Sequence, residues 1–234
     1  MKNVDKKAID ILVAAYKDAT GLDEATIRTS MPVMTFSKDE GQKILDKILK
    51  GEIKVENEEE AEAAMRKGAD DYVKARIDLG KEADGLDGIS ETARKSLRFR
   101  ALTADKLDTF KIAEYAPLAK KVDIGNLVAV TQKQPFDAEA VTTALGDFAS
   151  QIVNLGVEKF GAEQWDKLGV DGIQPFGSII FKCALSNNPD AVKTLASHKD
   201  EIQNIAWTKF AAANNIQRIV GAMIPAMTEL DNGM

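Results

Sequence analysis

The sequence predicts an all-α protein, a non-repetitive bundle of about nine or ten helices. Three observations predict it. Apolar residues recur at helical spacing along most of the chain. The periodic stretches are bracketed by capping residues and glycine stops. No series of alternating strands joined by hairpin turns occurs, and no segment repeats at a fixed period.

The first helix runs from Asp5 to Ala19. Ala8, Ile9, Ile11, Leu12, Val13, Ala15 and Tyr16 cover more than half of its wheel, which predicts burial on most sides, and Gly21 stops it. In "SKDEGQKILDKILKG", Ser37 and Glu40 have capping-box spacing, Ile44, Leu45, Ile48 and Leu49 form one face, and Gly51 ends the run. The segment before it, around Pro32, reads as extended. In "NEEEAEAAMRKGADDYVKARIDLG", Asn57 caps a helix whose first turn, Glu58 to Glu60, suits the positive end of the dipole. Its stripe of Ala61, Ala64, Met65, Gly68, Tyr72, Ala75 and Leu79 is largely small, so a neighbour approaches its backbone near Gly68.

Gly80, Gly85 and Gly88 mark residues 80–90 as a linker between an N-terminal helical lobe (1–80) and a main helical bundle (90–234), a single domain being the alternative. Ser90 caps the next helix, and Thr103 a further one, "ADKLDTFKIAEYA", ending near Pro117. "IGNLVAVTQKQPF" fits a strand or a short helix. Asp137 starts a helix carrying Val141, Ala144, Leu145, Phe148, Ile152 and Leu155 on one face, ended by Gly161. "PFGSIIFKCAL" reads as a short buried helix. Asn188 and Pro189 open another. From Asp200 to Ile224 the apolar positions stay in phase, with a break at Asn214–Asn215 as an option and a kink or stop at Pro225.

At 234 residues the chain buries about 70% of its unfolded surface on folding, enough for a full core without disulfide or metal. A net charge of -6 argues against a general nucleic-acid binder. The single cysteine, Cys183, excludes an internal disulfide framework. The N-terminal apolar positions are interrupted by Asp10 and followed by no cleavage site. The expected location is therefore the cytoplasm, or export or assembly without a cleavable signal peptide. No segment has the roughly 20 apolar residues of a membrane span.

The sequence points to no cofactor and no metal. His198 is the only histidine, which excludes the paired-histidine zinc and di-iron motifs. Cys183, in "IIFKCAL", reads as a buried structural thiol. In "EADGLDGISE" a leucine falls where a calcium loop needs an oxygen ligand. No phosphate-cradling glycine loop and no serine-nucleophile elbow occurs.

One stretch departs from the acidic background. "ARKSLRFRAL" places Arg94, Lys95, Arg98 and Arg100 within seven residues. Wound at about 100° per residue, it has one apolar sector of Ala93, Leu97 and Ala101 and another of Phe99 and Leu102, with cations between. Such a helix is sandwiched, its cations snorkelling to nearby acids, or it offers one side to a partner. Arginine suits bidentate contact with carboxylate or phosphate. At Leu97 and Arg98, "SLRFRALT" resembles the arginine-finger run, G-x-L-R-x-x-x-T, of bacterial effectors that activate Rho-type GTPases. Here Lys95 stands in place of the glycine, and Thr103 falls one place late. The resemblance implies charge neutralisation on a transferring phosphoryl group.

Trp207, off the main stripe of its helix, and Met223 and Met227, in the nearly uncharged "IVGAMIPAM", are further contact candidates. The expected function is that of a non-enzymatic α-helical protein acting by protein–protein binding or self-association, as an assembly component, adaptor or effector. Its expected contact residues are Arg94, Lys95, Arg98, Phe99, Arg100, Trp207, Met223 and Met227. The alternatives are a phosphate-engaging regulator using Arg98 and a carrier of an apolar ligand between helices.

Overall fold

A computed structural model describes residues 2–234, with side chains from Lys7 onward. Among the described residues there is no strand, and helix accounts for 81% of the chain. Thirteen α-helices have four residues or more, above the expected nine or ten, because helices form at Glu24–Ser30 and Ala162–Lys167, where none was expected, and the run from Asp200 divides in two. The chain divides into two compact units. One comprises residues up to Leu79 together with Ala101–Asp105, the other Gly80–Arg100 with Lys106–Met234.

In the first unit, α1 (Lys2–Thr20) buries Ala8, Leu12, Val13, Ala15 and Tyr16. Asp23 caps α2 (Glu24–Ser30), accepting from the Thr26 amide at 2.9 Å. The expected extended segment and the capping box at Ser37 are corrected. Pro32 instead caps α3 (Val33–Thr35), which continues through a π-helical stretch (Phe36–Gly41) into α4 (Gln42–Leu49). A proline is tolerated there because the amide it lacks would be unpaired anyway. The pull inward comes from Phe36, fully buried and edge-on to Tyr72 with centroids 5.1 Å apart. Ser37 is therefore inside a helix, not at its start. α5 (Glu58–Lys81) begins as read: Asn57 Oδ1 accepts from the Glu60 amide at 2.9 Å. Ile44 occupies the space that a side chain at Gly68 would need.

Arg76 is buried in this unit at 2% exposure. Its Nη2 donates to Tyr72 Oη at 2.7 Å and to the Ala104 carbonyl at 2.8 Å, and its guanidinium carbon lies 3.6 Å from the centre of the Tyr72 ring. Tyr16 Oη donates to the Leu102 carbonyl at 3.2 Å. Burial pushes the Tyr72 hydroxyl up to about 12, although the Arg76 charge opposes it.

The second unit opens with a 3-10 turn (Glu82–Gly85) and the loop leading to α6 (Glu91–Thr103). The expected helix over "ADKLDTFKIAEYA" is corrected: a 3-10 turn (Leu107–Thr109), α7 (Ile112–Tyr115) and a 3-10 stretch (Ala116–Lys121) replace it. Phe110 turns inward to 1% exposure, and Glu82 accepts from the Ala113 amide at 3.0 Å, restarting the helix after the break. "IGNLVAVT" is helical, as α8 (Gly125–Thr131). Asp137 caps α9 (Ala138–Phe160), accepting from the Ala140 amide at 3.0 Å, and Gly161 ends it.

α10 (Ala162–Lys167) carries Trp165 into a ring cluster with Phe160, Phe176 and Tyr115. α11 (Gly169–Leu185) starts earlier than read and contains Pro175. α12 (Pro189–Ser197) begins on its proline, and α13 (Lys199–Lys209) and α14 (Asn214–Asn232) are separate helices. α14 passes through Pro225. Ile224, Ala226, Met227 and Leu230 are all buried around and beyond it, so core packing holds the last turns in place. α11 and α14 pack most extensively on one another and form the centre of this unit.

Candidate functional site

The three arginines of α6 meet the chain's own acids and carbonyls. Arg98 donates to Asp84 and, at 2.5 Å, to Glu91. Burial lowers the Arg98 pKa, but these two carboxylates more than offset that and leave it raised. Arg94 Nη2 donates to the Leu86 carbonyl at 2.6 Å, and its Nη1 lies 3.9 Å from Glu91 Oε2. Arg100 lies 3.7 Å from Glu229. Lys95 is exposed and Phe99 is half-buried. Arg94 and Arg98 thus brace residues 84–91, most of which fall in the 80–90 stretch that the sequence marked as a linker. Gly80 fits beside α6 because it lacks a Cβ, which would stand 3.2 Å from Arg98 Cα. Gly88 adopts φ 80°, which glycine takes without strain, and Asn187 Nδ2 donates to its carbonyl at 2.6 Å.

The braced loop lines a cleft of about 480 Å³. Residues 85–89 contribute to it, as do Pro117 and Lys120 of the 3-10 stretch and Cys183 of α11. Its volume falls in the range of small-molecule sites. Burial pushes the Cys183 thiol up to about 12, partly opposed by the Lys182 charge, so the thiol is no nucleophile at neutral pH.

Lys182 itself, absent from the sequence-based candidates, is fully buried. Its Nζ donates to Glu229 Oε2 at 2.6 Å, and Arg100 approaches the other carboxylate oxygen. Desolvation lowers the Lys182 pKa, with Glu229 opposing. The triad ties α6, α11 and α14 together. The one available signal was a lysine inside the apolar run "SIIFKCAL".

Trp207 is 45% exposed on α13. Its ring lies on Gly221 of α14, where an added Cβ would stand 3.3 Å from Cη2. Gln203 and Lys199, one and two turns earlier on α13, join it with Ile224 and Pro225 to line a groove of about 290 Å³. Met223 and Met227 are corrected as contact residues: both are fully buried on the α14 face that meets the core. The structure thus separates the expected contact residues into the internally engaged Arg94, Arg98 and Arg100 with half-buried Phe99 on α6, a buried pair on α14, and the exposed Lys95 and Trp207.

Among the described residues no group of three or more His, Cys, Asp and Glu side chains is placed to hold a metal ion, and no helix is long and apolar enough to cross a membrane. Comparisons with protein-family models, with curated proteins and with solved structures returned no match.

Proposed function

We propose that this chain is a non-enzymatic binding protein that acts through contact with another protein, or with a second copy of itself, at the groove around Trp207. The observation that carries this reading is an indole 45% exposed whose six-membered ring nevertheless sits against Gly221 of α14, within 3.3 Å of where a Cβ would stand. Tryptophan is enriched at energetic centres of interfaces, and here the ring is held against α14 while nearly half of the residue stays open to solvent. Ile224 and Pro225 extend the apolar surface, and Gln203 and Lys199 supply polar groups beside it.

A photo-crosslinking residue at Gln203 tests it, in cells and in the concentrated purified protein. A discrete adduct that disappears on Trp207→Ala, with helicity unchanged, supports the proposal. An adduct indifferent to Trp207→Ala, or none in either setting, overturns it.

The cleft beside Cys183 favours a second reading, a carrier of a small, largely apolar ligand. A phosphate-engaging role for Arg98 draws less support, because Asp84 and Glu91 already occupy its guanidinium.

A further inference from the structure

The cleft lined by the 85–89 loop is mostly apolar, with Leu86, Ile89, Pro117 and Cys183 presenting carbon and sulfur. Two charged residues also line it: Asp87 from the loop and Lys120 from the 3-10 stretch. Both are exposed, and neither has an ion pair or side-chain hydrogen bond among the described residues. No ion pair within 4.0 Å joins them to each other. The loop is fixed on both sides of Asp87, by Arg94 at the Leu86 carbonyl and by Asn187 at the Gly88 carbonyl. That side of the cleft is therefore organised before any ligand arrives, which lowers the entropic cost of binding.

These charges narrow the ligand. An anion drawn to Lys120 would bring like charge towards Asp87, and a cation drawn to Asp87 would do the same at Lys120. A molecule carrying both charges satisfies both residues, and its apolar body covers Leu86, Ile89 and Pro117. We propose that the cleft binds a small zwitterion with an apolar body, of the class of apolar α-amino acids, with its ammonium at Asp87 and its carboxylate at Lys120. This inference rests on the second, ligand-carrier reading and assigns its ligand chemistry.

The test is titration calorimetry on the full chain, with backbone-amide chemical shifts to locate binding. The probes are L-phenylalanine, N-acetyl-phenylalanine (no ammonium), phenethylamine (no carboxylate) and toluene (neither). The expected result is saturable binding of phenylalanine with shifts confined to residues 85–89, 116–121 and 183–184. Affinity should weaken about tenfold or more for each probe lacking a charge, and likewise for Asp87→Asn and for Lys120→Ala. The double exchange Asp87→Lys with Lys120→Asp should recover binding, since the ligand can reverse. If toluene binds as tightly as phenylalanine, the zwitterion assignment falls and the apolar-carrier reading stands. If no probe binds, or shifts arise elsewhere, both fall.

Discussion

Removing Glu229 should cost far more stability than removing Lys182, although the two form one ion pair. Lys182 is fully buried, and among the described residues its one acceptor is Glu229, 2.6 Å away. Glu229→Ala strands a buried ammonium, which costs about 3–5 kcal/mol. Lys182→Met removes the buried charge and fills similar space. The Glu229 left behind is 21% exposed and keeps Arg100 at 3.7 Å, so the expected cost is about 1 kcal/mol or less. Urea unfolding followed by far-ultraviolet circular dichroism measures both.

The pH dependence supplies a second readout. The folded Lys182 pKa lies below the unfolded value of 10.5, so between the two the unfolded chain binds more protons. Stability from this residue therefore rises as pH climbs from the folded pKa towards 10.5, and the rise should be absent in Lys182→Met. Equal losses in the two variants, or a wild-type stability that falls relative to Lys182→Met over that window, would refute the reasoning.

Three other outcomes are expected. Gly156→Ala should lower the urea midpoint, at a cost of about 1–3 kcal/mol, because the new Cβ would overlap the buried Trp165 ring. Arg76→Lys should be destabilising in the same assay by about 1–3 kcal/mol, since an ammonium cannot donate to Tyr72 and Ala104 while stacking flat on the tyrosine. Cys183, with about a thousandfold less thiolate than an ordinary cysteine at the same pH, should resist iodoacetamide in the folded chain and react on unfolding, as mass spectrometry would show.

Local signals were legible where one segment determines its own structure. The caps at Asn57, Ser90 and Asp137 each accept the amide expected of them. The broad apolar sector of α1 did indicate burial, and the small stripe around Gly68 did indicate a close neighbour. Signals failed where distant residues decide. Ser37 and Glu40 have capping-box spacing, yet Phe36 buries against Tyr72, far along the chain, and draws the segment into a continuous helix. Pro225 was expected to kink or end α14; the helix runs on through it, and side chains packed beyond it outweigh the lost hydrogen bond.

The exposure of the expected contact residues was legible in part for the same reason. Trp207 lies off the stripe of its helix and is exposed, whereas Met223 and Met227 lie on the stripe and are buried. The count of cations on α6 did not reveal their direction. That depends on Asp84, Glu91 and Glu229, and the last is contributed from more than a hundred residues away. The cleft draws on segments around 85, 117 and 183, so no single stretch of sequence shows it.

The most direct test of the inward-facing α6 is hydrogen–deuterium exchange over residues 82–91, comparing the wild type with Arg94→Ala and Arg98→Ala. Each substitution should speed exchange there while leaving helicity intact, and inorganic phosphate should leave the wild-type segment unchanged. Unaltered exchange in both variants, together with phosphate-dependent protection of the wild type, would contradict the account and turn these cations towards an outside anion.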